Sequence, residues 1–195
     1  SNYNFSYEIL IILKHNNNIK PKSICNNVVR VFRKNDNSFG SALKTGIFES
    51  KGDYIITIDA DGSHNPEELE KIFDVYKNYD LICFSRYVIG GDTQNQFILK
   101  FMSLALNLIF KYSFNLKIND ISNNFKIYKS SLLKKLKLNS KNFDIIEEII
   151  IKLSRNRKIS LIEIPSNFHS RGYGKTKRSL VLFMISFGIT YCKLF

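Results

Sequence analysis

Four short, largely apolar runs in the first 84 residues are separated by segments whose apolar residues recur at helical spacing, and few folds accommodate that alternation. Tyr7 to Leu13, Val28 to Phe32, Tyr54 to Ile58 and Leu81 to Phe84 read as strands. Between them, Phe39 to Ser50 carries Ala42, Leu43, Ile47 and Phe48 at helical spacing, and Pro66 to about Asn78 opens like a helix, with proline and acids in its first turn. Such a chain predicts a mostly parallel, three-layer α/β sheet.

Beyond Arg86 the pattern changes. A loop through Gly90-Gly91 leads to Phe97 to Phe114, which Lys100, Asn107 and Lys111 mark as an amphipathic helix and not a membrane span. A short strand is expected at Phe125 to Tyr128, helices at Leu132 to Leu136 and Ile145 to Leu153, and a strand at Ile159 to Ile164 before Pro165. A basic, glycine-punctuated loop follows from Arg171 to Lys177. Ser179 to Phe195 is mostly apolar and at the lower limit of spanning length, so it reads either as a buried helix or as one lying on a membrane beside Arg178.

The alternation also locates one candidate site. Tyr54 to Ile58 runs into Asp59-Ala60-Asp61-Gly62-Ser63-His64-Asn65-Pro66, so two carboxylates stand at the carboxyl end of a strand just before a helix, where open α/β sheets bind ligands. Side chains two apart on an extended segment share a face, and hard carboxylate oxygens suit Mg2+ or Mn2+ held jointly with substrate phosphates. In isolation such a pair more often solvates a turn; its position favours a metal. His64 reads as a turn or capping residue.

The 195 residues, 44% of them hydrophobic, suffice for one core, with no long linker or repeat. A formal charge of +12 favours an anionic partner, although lysine and asparagine are abundant everywhere in the chain. No zinc-ligand spacing or aromatic nucleic-acid motif is present and the basic residues are dispersed, which argues against nucleic acid. Cys25, Cys83 and Cys192 are odd in number and far apart, which excludes a disulfide framework and fits a reducing, cytoplasmic setting. The first apolar run begins so close to Ser1 that an earlier portion is expected to be missing.

From Asn37 to Lys177 the motifs resemble those of family 2 glycosyltransferases, in particular the dolichyl- or polyprenyl-phosphate mannose synthase-like branch. The matching pieces are Asn37-Ser-Phe-Gly40-Ser-Ala-Leu-Lys-Thr-Gly46, Gly52-Asp53-Tyr54 with the aspartate run, and Ser85-Arg86-Tyr87 with Gly90-Gly91. Asp120-Ile-Ser-Asn-Asn-Phe125-Lys126, Phe143 with Glu148, Glu163-Ile-Pro165 and Phe168-His-Ser-Arg171-Gly-Tyr-Gly174-Lys-Thr-Lys177 complete the set. The resemblance implies a GT-A fold over residues 1–177, lacking the family's first strand, and an additional C-terminal apolar helix over 178–195.

It further implies transfer of a hexosyl group, by inversion, from GDP-mannose or a UDP-hexose to polyprenyl or dolichyl phosphate at the cytoplasmic face of a membrane. Asp59 and Asp61 would hold the Mg2+ or Mn2+ ion, with Asp61, Asp120 and Arg86 forming the catalytic set. Gly40, Ser63, Arg86, Lys126, Glu148, Arg171 and Lys177 would bind donor and acceptor. Asp120 or Glu148 would act as base for a hydroxyl acceptor or orient the basic residues, with orientation favoured for Glu148.

The pattern departs from the family's in several places. Leu13-Lys14-His15-Asn16 lacks the paired aspartates that grip the nucleoside, Phe39 and Asn124 stand where glycine is common, and Lys126 replaces arginine. Two alternatives therefore stay open: a transferase acting on a saccharide hydroxyl, and a catalytically silent membrane-associated protein.

Overall fold

A computed structural model describes residues 6–14, 27–32, 36–155, 158–170 and 180–195. Strands β1 (Ile9–Leu13) and β2 (Val28–Phe32) pair in parallel, with Ile9 opposite Val28 and Leu13 opposite Phe32. Helix α1 (Phe39–Glu49) follows. Its start is built by short polar side chains: Ser38 caps the amide of Ser41 at 3.2 Å, while Asp36 accepts from the backbone and hydroxyl of Ser38.

The central sheet has four strands in the order β3 (Tyr54–Thr57), β6 (Lys126–Lys129), β4 (Leu81–Ser85) and β7 (Leu161–Pro165). β4 and β7 are parallel, and β6 lies antiparallel between β3 and β4. Three of the four strands therefore point the same way. A two-residue pair, β5 (Asp92–Thr93) with β8 (Asn167–Phe168), lies beyond the ends of β4 and β7.

Both faces of the sheet are covered, as the unbroken burial of β4 requires. On one face Leu81, Cys83 and Tyr128 join a large cluster with Phe110 of α2 (Phe97–Ser113), Leu133 of α3 (Ser130–Leu133), and the isoleucines of α4 (Ile145–Ser154). On the other, Ile82, Phe84 and Ile127 pack with Ile72 and its neighbours. The C-terminal helix α5 (Leu180–Leu194) sets Phe187 and Leu194 into the first cluster and donates Thr190 Oγ1 to Asp144 at 2.6 Å.

One element differs from its expectation. Pro66 to Asn78 forms two 3₁₀ segments, Pro66–Ile72 and Tyr76–Asn78, joined by a turn, in place of an α-helix. The reason lies in the spacing of its apolar residues: Leu69, Ile72 and Val75, like Phe73 and Tyr76, recur every three positions, and a 3₁₀ winding stacks i and i+3 on one side.

Candidate active site

Several loops meet at the carboxyl ends of β3, β4 and β7. β6 begins at Lys126, opposite Thr57 and Cys83, so its preceding loop, residues 119–125, is delivered to the same edge by the antiparallel insertion. The β7–β8 connection arrives there as well: Ser166 donates its amide to Ser85 O at 3.0 Å.

The aspartate loop turns at Gly62, whose φ of +81° lies in the left-handed region that glycine adopts without strain. Asp61 Oδ1 accepts from the amide (3.1 Å) and hydroxyl (2.5 Å) of Ser63. Asp59 Oδ1 accepts from Asn124 Nδ2 at 2.9 Å. The cap of the following segment is Asn65, which accepts from the Glu67 amide at 3.0 Å, so His64 is not the capping residue. Its ring is instead buried beside Phe125 and Phe168, with Nε2 3.6 Å from Asp59 Oδ2 and neither nitrogen hydrogen-bonded among the described residues. Ser63 O accepts from the His169 amide at 2.9 Å, which ties the aspartate loop to the strand carrying Phe168.

Across Phe168 lies Arg86. Its guanidinium stands 5.5 Å from the Phe168 ring and 5.1 Å from that of Tyr87. Asp120 grips it with two oxygens: Nε donates to Oδ2 at 2.8 Å and Nη2 to Oδ1 at 2.7 Å, while the amides of Arg86 and Asn123 donate to the same carboxylate. Burial pushes the Asp120 carboxyl up, but the Arg86 charge and its hydrogen bonds outweigh burial and hold it below the usual carboxylate range. Nη2 also reaches Ser103 of α2 (3.4 Å) and Ser122 (2.9 Å). Among the described residues Nη1 makes none of these bonds.

The loop that presents Asp120 is itself held from two sides. Glu163 accepts from the amides of Asn119 and Asp120 at 2.8 and 3.0 Å, and buried Asn107 of α2 accepts from those of Ile121 and Ser122 at 2.9 and 3.1 Å. Glu163 belongs to a motif visible in the sequence. Asn107 and Ser103 carried no local signal, because polar residues on an apolar helix read as its solvent side.

Two expectations are corrected here. Asp120 is wholly buried and engaged by Arg86 and two amides, so it is not placed to take a proton from an acceptor hydroxyl. Lys126 does not reach out to a phosphate: it is wholly buried in β6, and its Nζ donates to the carbonyls of Ile121 and Asn123. The central position of β6 covers both its faces, and the lysine stem turns its charge back onto the loop it follows.

Gly40 and Glu148 come together elsewhere, on residues 139–141. The Gly40 amide donates to Lys141 O at 2.7 Å, and a Cβ there would meet Ser140 O at 2.6 Å. Glu148 accepts from the amides of Asn139 and Ser140 and from Lys152. Burial raises its carboxyl, and these donors bring it below the ordinary range. Arg171 and Lys177, like His15 and Asn16, lie outside the described residues.

Residues 7–137 match the model of glycosyl transferase family 2. The chain belongs to that family. It is 31% identical over 155 residues to the dolichol-phosphate mannosyltransferase of Pyrococcus furiosus, an alignment covering 76% of this chain and 43% of that protein. It is 30% identical over 131 residues to the undecaprenyl-phosphate mannosyltransferase of Micrococcus luteus, covering 65% and 54%. The chain thus spans about half the length of the curated relatives it matches. Among solved structures, glucosyl-3-phosphoglycerate synthase from Mycobacterium tuberculosis, in complex with Mn2+, UDP-glucose and phosphoglyceric acid, superposes with a TM-score of 0.67 at 12% identity, over 95% of this chain and 66% of that one. This family member therefore has the GT-A fold.

Proposed function

We propose that this family 2 chain is the catalytic part of a glycosyltransferase that moves a hexosyl group, by inverting displacement, from GDP-mannose or a UDP-hexose to polyprenyl or dolichyl phosphate at the cytoplasmic face of a membrane. The observation that carries the reading is the placement of the Asp59–Asp61 loop and the Arg86 fork on one edge of the sheet, either side of Phe168. The names of the two mannosyltransferase relatives support the acceptor class.

The donor set of the aspartate loop fits Mg2+ or Mn2+. Asp59 and Asp61 would supply carboxylate oxygens to such an ion, and diphosphate oxygens would complete its shell, as is common for these ions. When bound, it would neutralise charge on the departing nucleoside diphosphate. Asn124 and Ser63 fix one oxygen each of Asp59 and Asp61. The Asp120 grip pre-sets the Arg86 plane, so Nη1 meets a phosphate with little reordering. A lipid phosphate is already ionised at neutral pH and attacks without a base, in keeping with the burial of Asp120. Arg171 and Lys177 would add cations for donor and acceptor phosphates.

Calorimetric titration with MnCl2 and GDP-mannose or UDP-glucose, beside transfer of labelled hexose to polyprenyl phosphate, tests the proposal. Metal-dependent heat and transfer are expected in the unsubstituted chain and lost in Asp61→Ala. Heat that is absent, or equal in Asp61→Ala, overturns the metal reading, and preferential use of a saccharide hydroxyl overturns the acceptor.

A further inference from the structure

His64 is 4% exposed, and neither nitrogen of its ring is hydrogen-bonded among the described residues. Native proteins rarely bury a polar side chain in this way, and where they do the group commonly serves chemistry or an ion. The rings of Phe125 and Phe168, each with its centroid 5.2 Å from that of the imidazole, hold it in place. The polar group it faces is Asp59, whose Oδ2 lies 3.6 Å from Nε2. That gap exceeds an ordinary N–H to oxygen bond by about 0.7 Å, and a small rotation of the carboxylate closes it.

The other oxygen of Asp59 meets a second buried donor, Asn124 Nδ2, at 2.9 Å. Asn124 is 7% exposed, and its backbone carbonyl accepts from Thr57 Oγ1 at 2.5 Å, at the end of β3. Its side-chain oxygen has no partner among the described residues, so within them the bond to Asp59 alone sets the direction of the amide. A glycine at this place would supply no such donor. Asp59 therefore has one buried donor beside each oxygen, while 31% of its own side chain is accessible. Each carboxylate oxygen offers two lone pairs, so one donor per oxygen leaves the carboxylate able to bind a cation.

We infer that His64 and Asn124 are a pair of positioning residues that lock the Asp59 carboxylate in one rotation, Asn124 through Oδ1 and His64 through Oδ2, so that a divalent cation meets a preset ligand. Neither residue touches the cation. That the locked carboxylate serves a cation rests on the function proposed above; the lock itself does not. Asn124 also belongs to the loop that presents Asp120, and His64 packs on Phe168, which lies 5.5 Å from the Arg86 guanidinium. The same pair thus fixes the register between the aspartate loop and the Arg86 fork.

His64→Phe keeps a ring beside Phe125 and Phe168 but carries no donor, and Asn124→Ala removes the amide while leaving the backbone. In calorimetric titration with MnCl2 in the presence of GDP or UDP, each should weaken Mn2+ binding at least about tenfold. The double variant should weaken it by less than the product of the two effects, since either loss frees the same carboxylate. Excess Mn2+ should restore hexosyl transfer by each variant, which a folding defect would not allow. In nitrogen-15 spectra recorded without metal, His64 should be the Nε2–H tautomer, and its signal and that of Asn124 Nδ2 should both move in Asp59→Ala. Unchanged Mn2+ affinity in either variant, transfer that excess Mn2+ fails to restore, or signals indifferent to Asp59→Ala overturns the inference. Signals that respond to Asp59→Ala in a chain that takes up no Mn2+ refute the metal reading and leave the lock; Mn2+ uptake equal in all variants spares that reading and refutes the lock.

Discussion

Replacing Asp120 with asparagine keeps the shape of the side chain but removes its charge, and the bonds around it fix the consequence. Asparagine keeps a single carbonyl oxygen, which can accept either from the Asn123 amide and Nη2 or from the Arg86 amide and Nε, so its NH2 group faces the other pair of donors. The guanidinium is left inside with no compensating carboxylate. Removing one member of a buried pair costs about 3–5 kcal/mol. For a chain of 195 residues that corresponds to a fall in Tm of about 6–20 °C, at about 2–4 °C per kcal/mol.

Arg86→Met should recover part of that loss when added to Asp120→Asn, since it removes the stranded charge, with a coupling on the order of 1–3 kcal/mol. Thermal and urea unfolding of the four proteins, followed by far-ultraviolet circular dichroism, gives the cycle. A variant Asp120→Asn as stable as the unsubstituted protein, with additive effects and abolished transfer, would refute the reasoning. Asp120 would then be doing chemistry on an acceptor and not holding Arg86.

Three further outcomes are expected. Asp120 and Glu148 both have carboxyls held below their ordinary range in the folded state, so their stabilisation is complete above about pH 4 and is lost as pH falls through the lower folded values; Tm should be flat from about pH 5 to 7 and drop below about pH 4, less steeply in Glu148→Gln. Gly91→Ala should lower stability by about 1–3 kcal/mol and impair transfer, because its Cβ would stand 2.4 Å from Ser85 O and 3.0 Å from the Arg86 carbonyl carbon; unchanged kinetics would contradict it. In a Cys25→Ser background, a thiol reagent should modify exposed Cys192 at once and Cys83 only on unfolding, since burial pushes the Cys83 thiol up to about 12.

Strand and helix identity was legible where one local period dominates. β4, buried on both faces, shows as an unbroken apolar run, and α1 shows as a capped 3.6-residue pattern. Strand direction left no local mark. Residues 126–129 would have the same sequence pattern running either way, and only the pairing of Ile127 with both Ile56 and Ile82 makes β6 antiparallel. That insertion explains the fate of Lys126, since a lysine at the start of a solvent-facing strand is a surface cation, while one at the centre of a covered sheet must find carbonyls.

The candidate site divides in the same way. Asp59, Asp61 and Ser63 lie within five residues, so residue type and spacing sufficed to mark them as one loop. Arg86 and Asp120 stand 34 positions apart, and read separately each invites a separate role, a cation for phosphate and a base for a hydroxyl. Paired, they exclude the second role and sharpen the first. A guanidinium whose Nε and Nη2 are committed to Asp120, and whose faces meet Tyr87 and Phe168, is fixed in one plane. In the proposed reading its selectivity for phosphate would depend on a carboxylate that does not itself contact substrate. Arg86→Lys should accordingly behave as a loss of function, because a single ammonium cannot satisfy Asp120 and a ligand in the same plane.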